Sequence, residues 1–151
     1  MQRLGAKLAV LLITVVFLTG LDQWLKASAA GFQPRNWAGG WLRLVWQENP
    51  GIAFSIALVS PLAVVLVVIL LLVLIGLWWR SRGQLTGYQW GLLLAIGGGV
   101  SNLLDKLRFG FVRDFISLGA LPVFNLADVF IFVGVVMIIL GVIYDQRHQK
   151  I

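Results

Sequence analysis

Residues 62–79, with the sequence LAVVLVVILLLVLIGLWW, form a run without a single charge, and residues 85–104 form a second uncharged run. A helix needs about 20 residues to cross the hydrocarbon core of a membrane, because each residue adds about 1.5 Å to its length. Two further apolar runs, 8–21 and 129–144, reach that length only when Asp22 and Asp128 are included. The pattern predicts an all-α integral membrane protein, a bundle of four transmembrane helices with spans near 6–26, 59–79, 86–106 and 125–145.

The composition agrees with one membrane-embedded domain covering residues 1–151. Hydrophobic residues make up 60% of the chain and charged residues 12%, whereas soluble proteins have roughly 45–50% and about 25%. So much apolar surface must be covered by lipid. The net charge of +6 comes from basic residues scattered between the apolar runs. This distribution favours contact with an anionic membrane surface over binding to nucleic acid.

Missing residue types narrow the possible chemistry. The chain contains no cysteine, and its one histidine is His148 in the polar tail. Disulfides, thiolate nucleophiles and thiolate metal sites are therefore excluded, as are histidine-based triads and HExxH metalloproteases. We expect neither a metal site nor a cofactor.

The polar residues gather at one face of the predicted bundle. Consecutive spans run antiparallel, so the end of span one, the start of span two, the end of span three and the start of span four share a face. Five of the six acidic residues belong to it. Its candidate residues are Asp22, Lys26, Asn49 to Ser55, Asn102, Asp105, Lys106, Arg113, Asp114, Asn125 and Asp128. Charge at membrane depth is unfavourable and usually functional, so the candidate site lies at this face.

Charge counting alone does not orient the bundle, because Lys and Arg divide six against six between the two faces. The opposite face carries Arg3, Lys7, Arg80, Arg82, Arg147 and Lys150, with only Asp145 against them. We favour an orientation with both termini in the cytoplasm, because these six residues lie in short flanks. The candidate site would then lie near the outer face of the membrane.

The N-terminal segment has an alternative interpretation as a cleavable signal peptide. Arg3 and Lys7 precede an apolar stretch that is followed by residues 27–29, Ala-Ser-Ala. Against this, the later spans place the chain in the membrane in any case. Asp22 and Lys26, spaced i and i+4, also form a pair typical of a retained helix.

The segment between spans one and two, residues 30–48, is rich in Gly and Trp. Within it, Leu42, Leu44 and Trp46 alternate with Arg43, Val45 and Gln47, a pattern that indicates a short strand. Tryptophan favours the headgroup zone of a membrane. We therefore expect a small extramembrane β-like region lying on the lipid surface.

Asp114 and Asp128 are the strongest candidates for catalysis. Two carboxylates held close together at low dielectric cannot both ionise easily, so one of them keeps a proton. One can then deprotonate a water while the other protonates the carbonyl or the leaving amine, as in aspartic proteases. In the structural alternative, Asn125 caps a helix with Asp128 at its third position, and Asp114 pairs with Arg113 or Lys106.

The remaining motifs each have two readings. The stretch Asn49 to Ser55 is either a helix entry signal or a loop that contacts substrate. Asn102 and Asp105 share a helix face and either orient a substrate backbone or anchor the following loop. Residues 97–99, Gly-Gly-Gly, indicate close helix packing, because no lysine follows that would complete a phosphate-binding loop.

Five blocks occur in order along the chain: residues 22–26 (DQWLK), 49–55 (NPGIAFS), 98–106 with Asn102 and Asp105-Lys106, 113–116 (RDFI) and 124–128 (FNLAD). Together with four spans, these blocks resemble the lipoprotein signal peptidase family, also called signal peptidase II. Any one block is weak evidence, but five in order on one topology are specific. The resemblance covers essentially the whole chain.

The resemblance implies an intramembrane aspartyl endopeptidase of the bacterial cytoplasmic membrane. Such enzymes remove signal peptides from diacylglyceryl-modified prolipoproteins, cutting just before the lipidated cysteine, and are sensitive to globomycin. We expect a monomer that contacts prolipoprotein substrates and membrane lipids. The catalytic positions of the family fall on Asp114 and Asp128, and its support positions fall on Asp22, Lys26, Asn49, Gly51, Asn102, Asp105 and Asn125.

The chain departs from the family pattern at three places. Lys106 stands where the family usually has Arg, which puts bidentate contacts there in question. Arg113 stands where an aliphatic residue is usual, and a cation so close is expected to lower the pKa of Asp114. The stretch from Ser117 to Pro122 is shorter than expected, which would alter the lid over the site.

Two other functions fit a membrane protein with buried carboxylates. A small transporter or proton channel would use them as an ion relay, although it predicts charges spread across the bilayer rather than gathered at one face. A non-catalytic scaffold would bind partners through the Trp-rich loop.

Overall fold

The computed structural model describes residues 2–31, 35–50, 60–81 and 86–148. Within them the chain is mostly helical, with a small antiparallel sheet, as predicted. The helices are α1 (Gln2–Ala29), α2 (Ser60–Arg80), α3 (Gly87–Phe109) and α4 (Leu126–His148). The strands are β1 (Arg35–Trp37), β2 (Leu42–Asn49) and β3 (Val112–Leu118), with a 3-10 turn at Ala38–Gly40 between the first two.

Two of the described helices are long and apolar enough to cross a membrane. These segments are Gly5–Ala29 of α1 and Leu126–Tyr144 of α4, and α2 contains a shorter apolar stretch, Val64–Arg80. The side chains on their outer surfaces are large and apolar, and Ile13 and Phe132 are each 70% exposed.

α3 lies at the centre of the helices, and three consecutive glycines let its neighbours approach closely. A Cβ built on Gly97 would lie 2.7 Å from Cδ1 of Leu18 in α1, and one on Gly99 would lie 2.9 Å from Cδ2 of Leu71 in α2. A Cβ on Gly98 would collide with the carbonyl oxygen of Ala127 in α4. The glycine run therefore serves helix packing, as its composition indicates.

Defined caps set both ends of α3. Thr86 forms a capping box with Gln89 at the N-terminus. At the C-terminus, Gly110 adopts a left-handed conformation with φ of 82°, and its N–H donates to the carbonyl of Lys106. Glycine tolerates this φ, which turns the chain out of the helix and into β3.

The sheet has the order β1-β2-β3 with both pairs antiparallel. The expected β region between α1 and α2 is present, but its third strand comes from the segment between α3 and α4. The sequence pattern predicts no strand in this segment, which carries Asp114. Val112 to Phe115 are all buried, so no alternation of exposed and buried side chains marks β3 as a strand.

The segment after β3 turns back sharply. Gly119 has φ of 55° and donates its N–H to the carbonyl of Trp41. Phe124 then returns to β3, where it exchanges backbone hydrogen bonds with Ile116. This return leads directly into α4, so that Asp114 on β3 and the first turn of α4 are neighbours.

Candidate active site

Asp114 and Asp128 are joined by a single asparagine. Nδ2 of Asn125 donates to Oδ1 of Asp114 at 2.6 Å. Asn125 also caps α4, because its Oδ1 accepts the N–H of Asp128 at 2.9 Å and its own N–H donates to Oδ2 of Asp128 at 3.1 Å. The expected helix cap is therefore present. Capping alone gave no reason for Asp114 to lie beside it.

Two further amides complete the hydrogen bonding of the pair. Nδ2 of Asn49 donates to Oδ2 of Asp114 at 3.0 Å, and Nδ2 of Asn102 donates to Oδ1 of Asp128 at 2.8 Å. Each of the four carboxylate oxygens thus accepts a hydrogen bond. Because Oδ1 of Asn102 accepts from Nζ of Lys26 at 2.9 Å, the Asn102 amide is oriented with its nitrogen towards Asp128.

Burial raises the pKa of Asp114 to about 6, from an ordinary value of 3.8. The hydrogen bond from Asn49 acts in the opposite direction, and the neighbouring charge of Asp128 raises the pKa further. The expectation that Arg113 would lower this pKa is wrong. Adjacent residues of a strand point to opposite faces, and the guanidinium of Arg113 is directed at Asp105 instead.

A buried ionic cluster supports the pair from α1 and α3. Nζ of Lys26 lies 2.7 Å from Oδ2 of Asp22, the expected i and i+4 pair, and 3.2 Å from Oδ2 of Asp105. The side chain of Arg113 also contacts Asp105, at 2.7 Å. Two carboxylates thus face two cations, and this balance permits charges with little or no solvent exposure to remain buried.

Arg113 fastens β3 to α3 through one carboxylate. Its Nη2 donates to Oδ1 of Asp105 at 2.7 Å, and its Nε and its backbone N–H donate to Oδ2 at 3.2 and 3.0 Å. Its guanidinium carbon also lies 4.5 Å from the centre of the Phe109 ring, within the range of a cation–π contact. Of the two readings of Asp105, the geometry matches the one that anchors the following segment.

Two residues in this cluster were missed by the sequence analysis. Nε2 of Gln23 donates to Oδ1 of Asp105 at 2.8 Å, and its Oε1 accepts from Arg113 at 2.7 Å. Oγ of Ser101 donates to Oδ2 of Asp22 at 2.6 Å. Both are polar residues next to predicted site residues in otherwise apolar helices, and that position was the available signal.

The loop before α2 meets the site at one described point. Nζ of Lys106 donates to the carbonyl oxygen of Pro50, a single contact that a lysine can make. Gly51 and the rest of the predicted stretch to Ser55 lie outside the described residues. Within the described ranges, no group of three or more His, Cys, Asp or Glu side chains could hold a metal ion.

Comparison with known proteins places the chain in a family. The protein-family model described as signal peptidase (SPase) II matches residues 13–144 of this chain. The lipoprotein signal peptidase of Caldicellulosiruptor bescii is 40% identical over 122 residues, covering 78% of this chain and 80% of its own. That of Streptococcus pneumoniae is 32% identical over 149 residues, covering 93% and 96%.

The fold has a solved counterpart. A bacterial membrane enzyme determined by the in meso method at 2.3 Å resolution superposes with a TM-score of 0.84. It is 23% identical, and the match covers 93% of this chain and 92% of that one. With the family model matching most of its length, the chain belongs to the signal peptidase II family.

Proposed function

We propose that this chain is an aspartyl endopeptidase that removes signal peptides from diacylglyceryl-modified prolipoproteins, cutting before the lipidated cysteine. Family membership supports signal peptide cleavage. The observation that carries the mechanism is the pairing of Asp114 and Asp128 through Asn125. No thiol exists in the chain to act as a nucleophile, and a carboxylate pair needs only water.

The surroundings of the two carboxylates support different roles for them. Asp128 stands in the first turn of α4, where the helix dipole favours a negative charge. Asp114 is 1% exposed, and this burial raises its pKa to about 6. We assign Asp128 as the base that takes a proton from water and Asp114 as the acid that protonates the carbonyl oxygen.

In this mechanism the water oxygen bonds to the scissile carbonyl carbon while Asp128 takes one proton from the water. At the same time Asp114 gives its proton to the carbonyl oxygen. The C–N bond then breaks, and the proton held by Asp128 passes to the leaving nitrogen of the cysteine. The new terminal carboxyl group retains the oxygen from water. As the C=O bond re-forms, the former carbonyl oxygen returns its proton to Asp114, so the pair is back in its starting state.

The proposed setting is a bacterial cytoplasmic membrane spanned by all four helices. The apolar outer surfaces of α1 and α4 support contact with lipid, since Phe17 is 65% exposed and Leu140 is 60% exposed. We infer that both termini lie in the cytoplasm, that the site opens near the outer face, and that the protein works as a monomer. Inhibition by globomycin is expected on the same grounds.

A gel-shift cleavage assay tests the proposal. Purified protein in detergent is given a diacylglyceryl-modified prolipoprotein beside the same precursor without lipid. We expect wild type to cut only the lipidated form, and Asp114→Asn and Asp128→Asn to lose at least about a thousandfold in rate. Asp145→Asn, a carboxylate at the other end of α4 in sequence, serves as the matched control and should cleave normally. Turnover like that of wild type in either site variant would refute the mechanism.

The two other functions considered from the sequence gain less support. Asp22, Asp105 and Asp128 of the helices gather with Asp114 around one end of the bundle, whereas an ion relay needs groups along the membrane depth. A non-catalytic scaffold gives no functional reason for the raised pKa of the Asp114 carboxyl group. Proton flux in reconstituted vesicles without peptidase activity would favour the transporter.

A further inference from the structure

The strand that pairs with β3 brings a second polar side chain, Gln47, to the candidate site. In the register of β2 and β3, Gln47 lies directly opposite Asp114. Directly opposed residues of an antiparallel pair place their side chains on the same face, with Cβ atoms about 4.5–5.5 Å apart. Asn49, two residues further along β2, also reaches Asp114. Gln47 therefore borders the catalytic pair.

A β-bulge sets this orientation. Leu44 pairs with Ile116 and Gln47 pairs with Asp114, so three steps along β2 match two steps along β3. Side chains alternate between the faces of a regular strand, so without the extra residue Leu44 and Gln47 would lie on opposite faces. Bulges of this kind re-aim side chains next to active sites. Here the bulge turns Gln47 towards Asp114.

The carboxamide of Gln47 is available to a ligand. The residue is exposed, and its side chain makes no hydrogen bond to any residue in the described part of the chain. The amides of Asn49, Asn102 and Asn125, by contrast, are engaged with the carboxylates. A carboxamide both donates and accepts, which matches the N–H and C=O of an extended peptide.

We propose that Gln47 is a substrate-binding residue, whose carboxamide holds a main-chain peptide group of the substrate beside the scissile bond. This inference rests on the proposed peptidase function. The ligand chemistry is a carbonyl oxygen, which both the peptide backbone and the acyl esters of the lipid could supply. The geometry favours the backbone, because Gln47 lies opposite the residue that protonates the scissile carbonyl.

Steady-state kinetics of Gln47→Met test the proposal, since methionine keeps the length of the side chain and removes the amide. We expect kcat/KM to fall about 5-fold, mainly through KM, as for the loss of one neutral hydrogen bond. Glu48→Gln is the matched control, because Glu48 is also exposed but lies opposite Arg113 in the strand register, on the other face of the sheet. A Gln47→Met enzyme within 2-fold of wild type would overturn the proposal.

A second substrate distinguishes the two sources of the carbonyl. A precursor with ether-linked alkyl chains keeps the main-chain carbonyls and lacks the ester carbonyls. An equal loss by Gln47→Met on both substrates supports the main-chain contact, whereas a loss confined to the ester substrate overturns it. Cleavage by wild type in the same assay separates this inference from the proposed function. An inactive wild type would defeat both, and unchanged kinetics of Gln47→Met in an active enzyme would defeat the inference alone.

Gln47→Glu tests the placement itself. A carboxylate at this position would lie beside Asp114 and should move the basic limb of the kcat/KM profile up by about one pH unit. The other charged groups that interact with Asp114 are Asp128 of α4, Lys26 of α1 and Lys106 of α3, and all three stay in place. A profile that does not move would overturn the placement.

Discussion

Replacing Arg113 with methionine removes the guanidinium that fastens β3 to α3. The variant loses the two side-chain hydrogen bonds to Asp105, at 2.7 and 3.2 Å, and the one to Gln23 at 2.7 Å. The buried cluster then holds two carboxylates against Lys26 alone, so its net charge changes from zero to −1. Breaking a buried ion pair by removing one partner costs about 3–5 kcal/mol.

The lower end of that range is expected here. Asp105 keeps hydrogen bonds from Nε2 of Gln23 and from the backbone N–H of residue 113, and it keeps the contact with Lys26. We therefore expect Arg113→Met to lower the free energy of unfolding by about 3 kcal/mol. Arg113→Lys keeps the charge but not the planar fork, and should lose about half as much.

Unfolding in mixed detergent micelles measures both variants, and a double-mutant cycle with Asp105→Asn isolates the pair. If the two groups neutralise each other, the double variant should be more stable than the sum of the single effects predicts, by about 2 kcal/mol or more. A loss below about 1 kcal/mol in Arg113→Met, or additive effects in the cycle, would refute this account of Arg113.

Three further predictions concern the carboxylate pair and its support. Because burial raises the pKa of Asp114 to about 6, kcat/KM should fall as the pH rises through that value. The stability that the protonated Asp114 contributes to folding should be fully present below pH 3.8 and should be lost as the pH rises through about 6. Asn49→Ala removes a hydrogen bond that lowers this pKa, so the basic limb should move to higher pH; a move to lower pH would contradict the assignment. Gly98→Ala should reduce the cleavage rate at least about tenfold, because the added methyl group displaces Ala127, the residue before Asp128. The control is Gly76→Ala, whose added methyl group meets nothing within 4 Å and which should cleave like wild type. Equal rates for the two alanine variants would show that α3 and α4 tolerate the displacement.

Much of the fold could be predicted from local patterns. Uncharged runs such as 62–79 predict helices, and the expected alternation of helix direction predicts that Asp22, Asp105 and Asp128 share one face. The pair formed by Asp22 and Lys26 follows from helical spacing alone. β3 escaped prediction because both of its faces are buried, so it has no alternating pattern.

The sequence by itself therefore determined that polar residues of several helices lie at one end of the bundle, and the tertiary structure decided which of them pair. Sequence proximity predicts that Arg113 acts on Asp114, but the two side chains point to opposite faces of β3 because side chains alternate along a strand. Arg113 therefore neutralises Asp105. Asp114 accepts hydrogen bonds from Asn49 and Asn125 instead. Helix periodicity and charge pattern are local properties of the chain. Strand register and the bulge that turns Gln47 depend on contacts between segments far apart in sequence, and these exist only once the helices have packed.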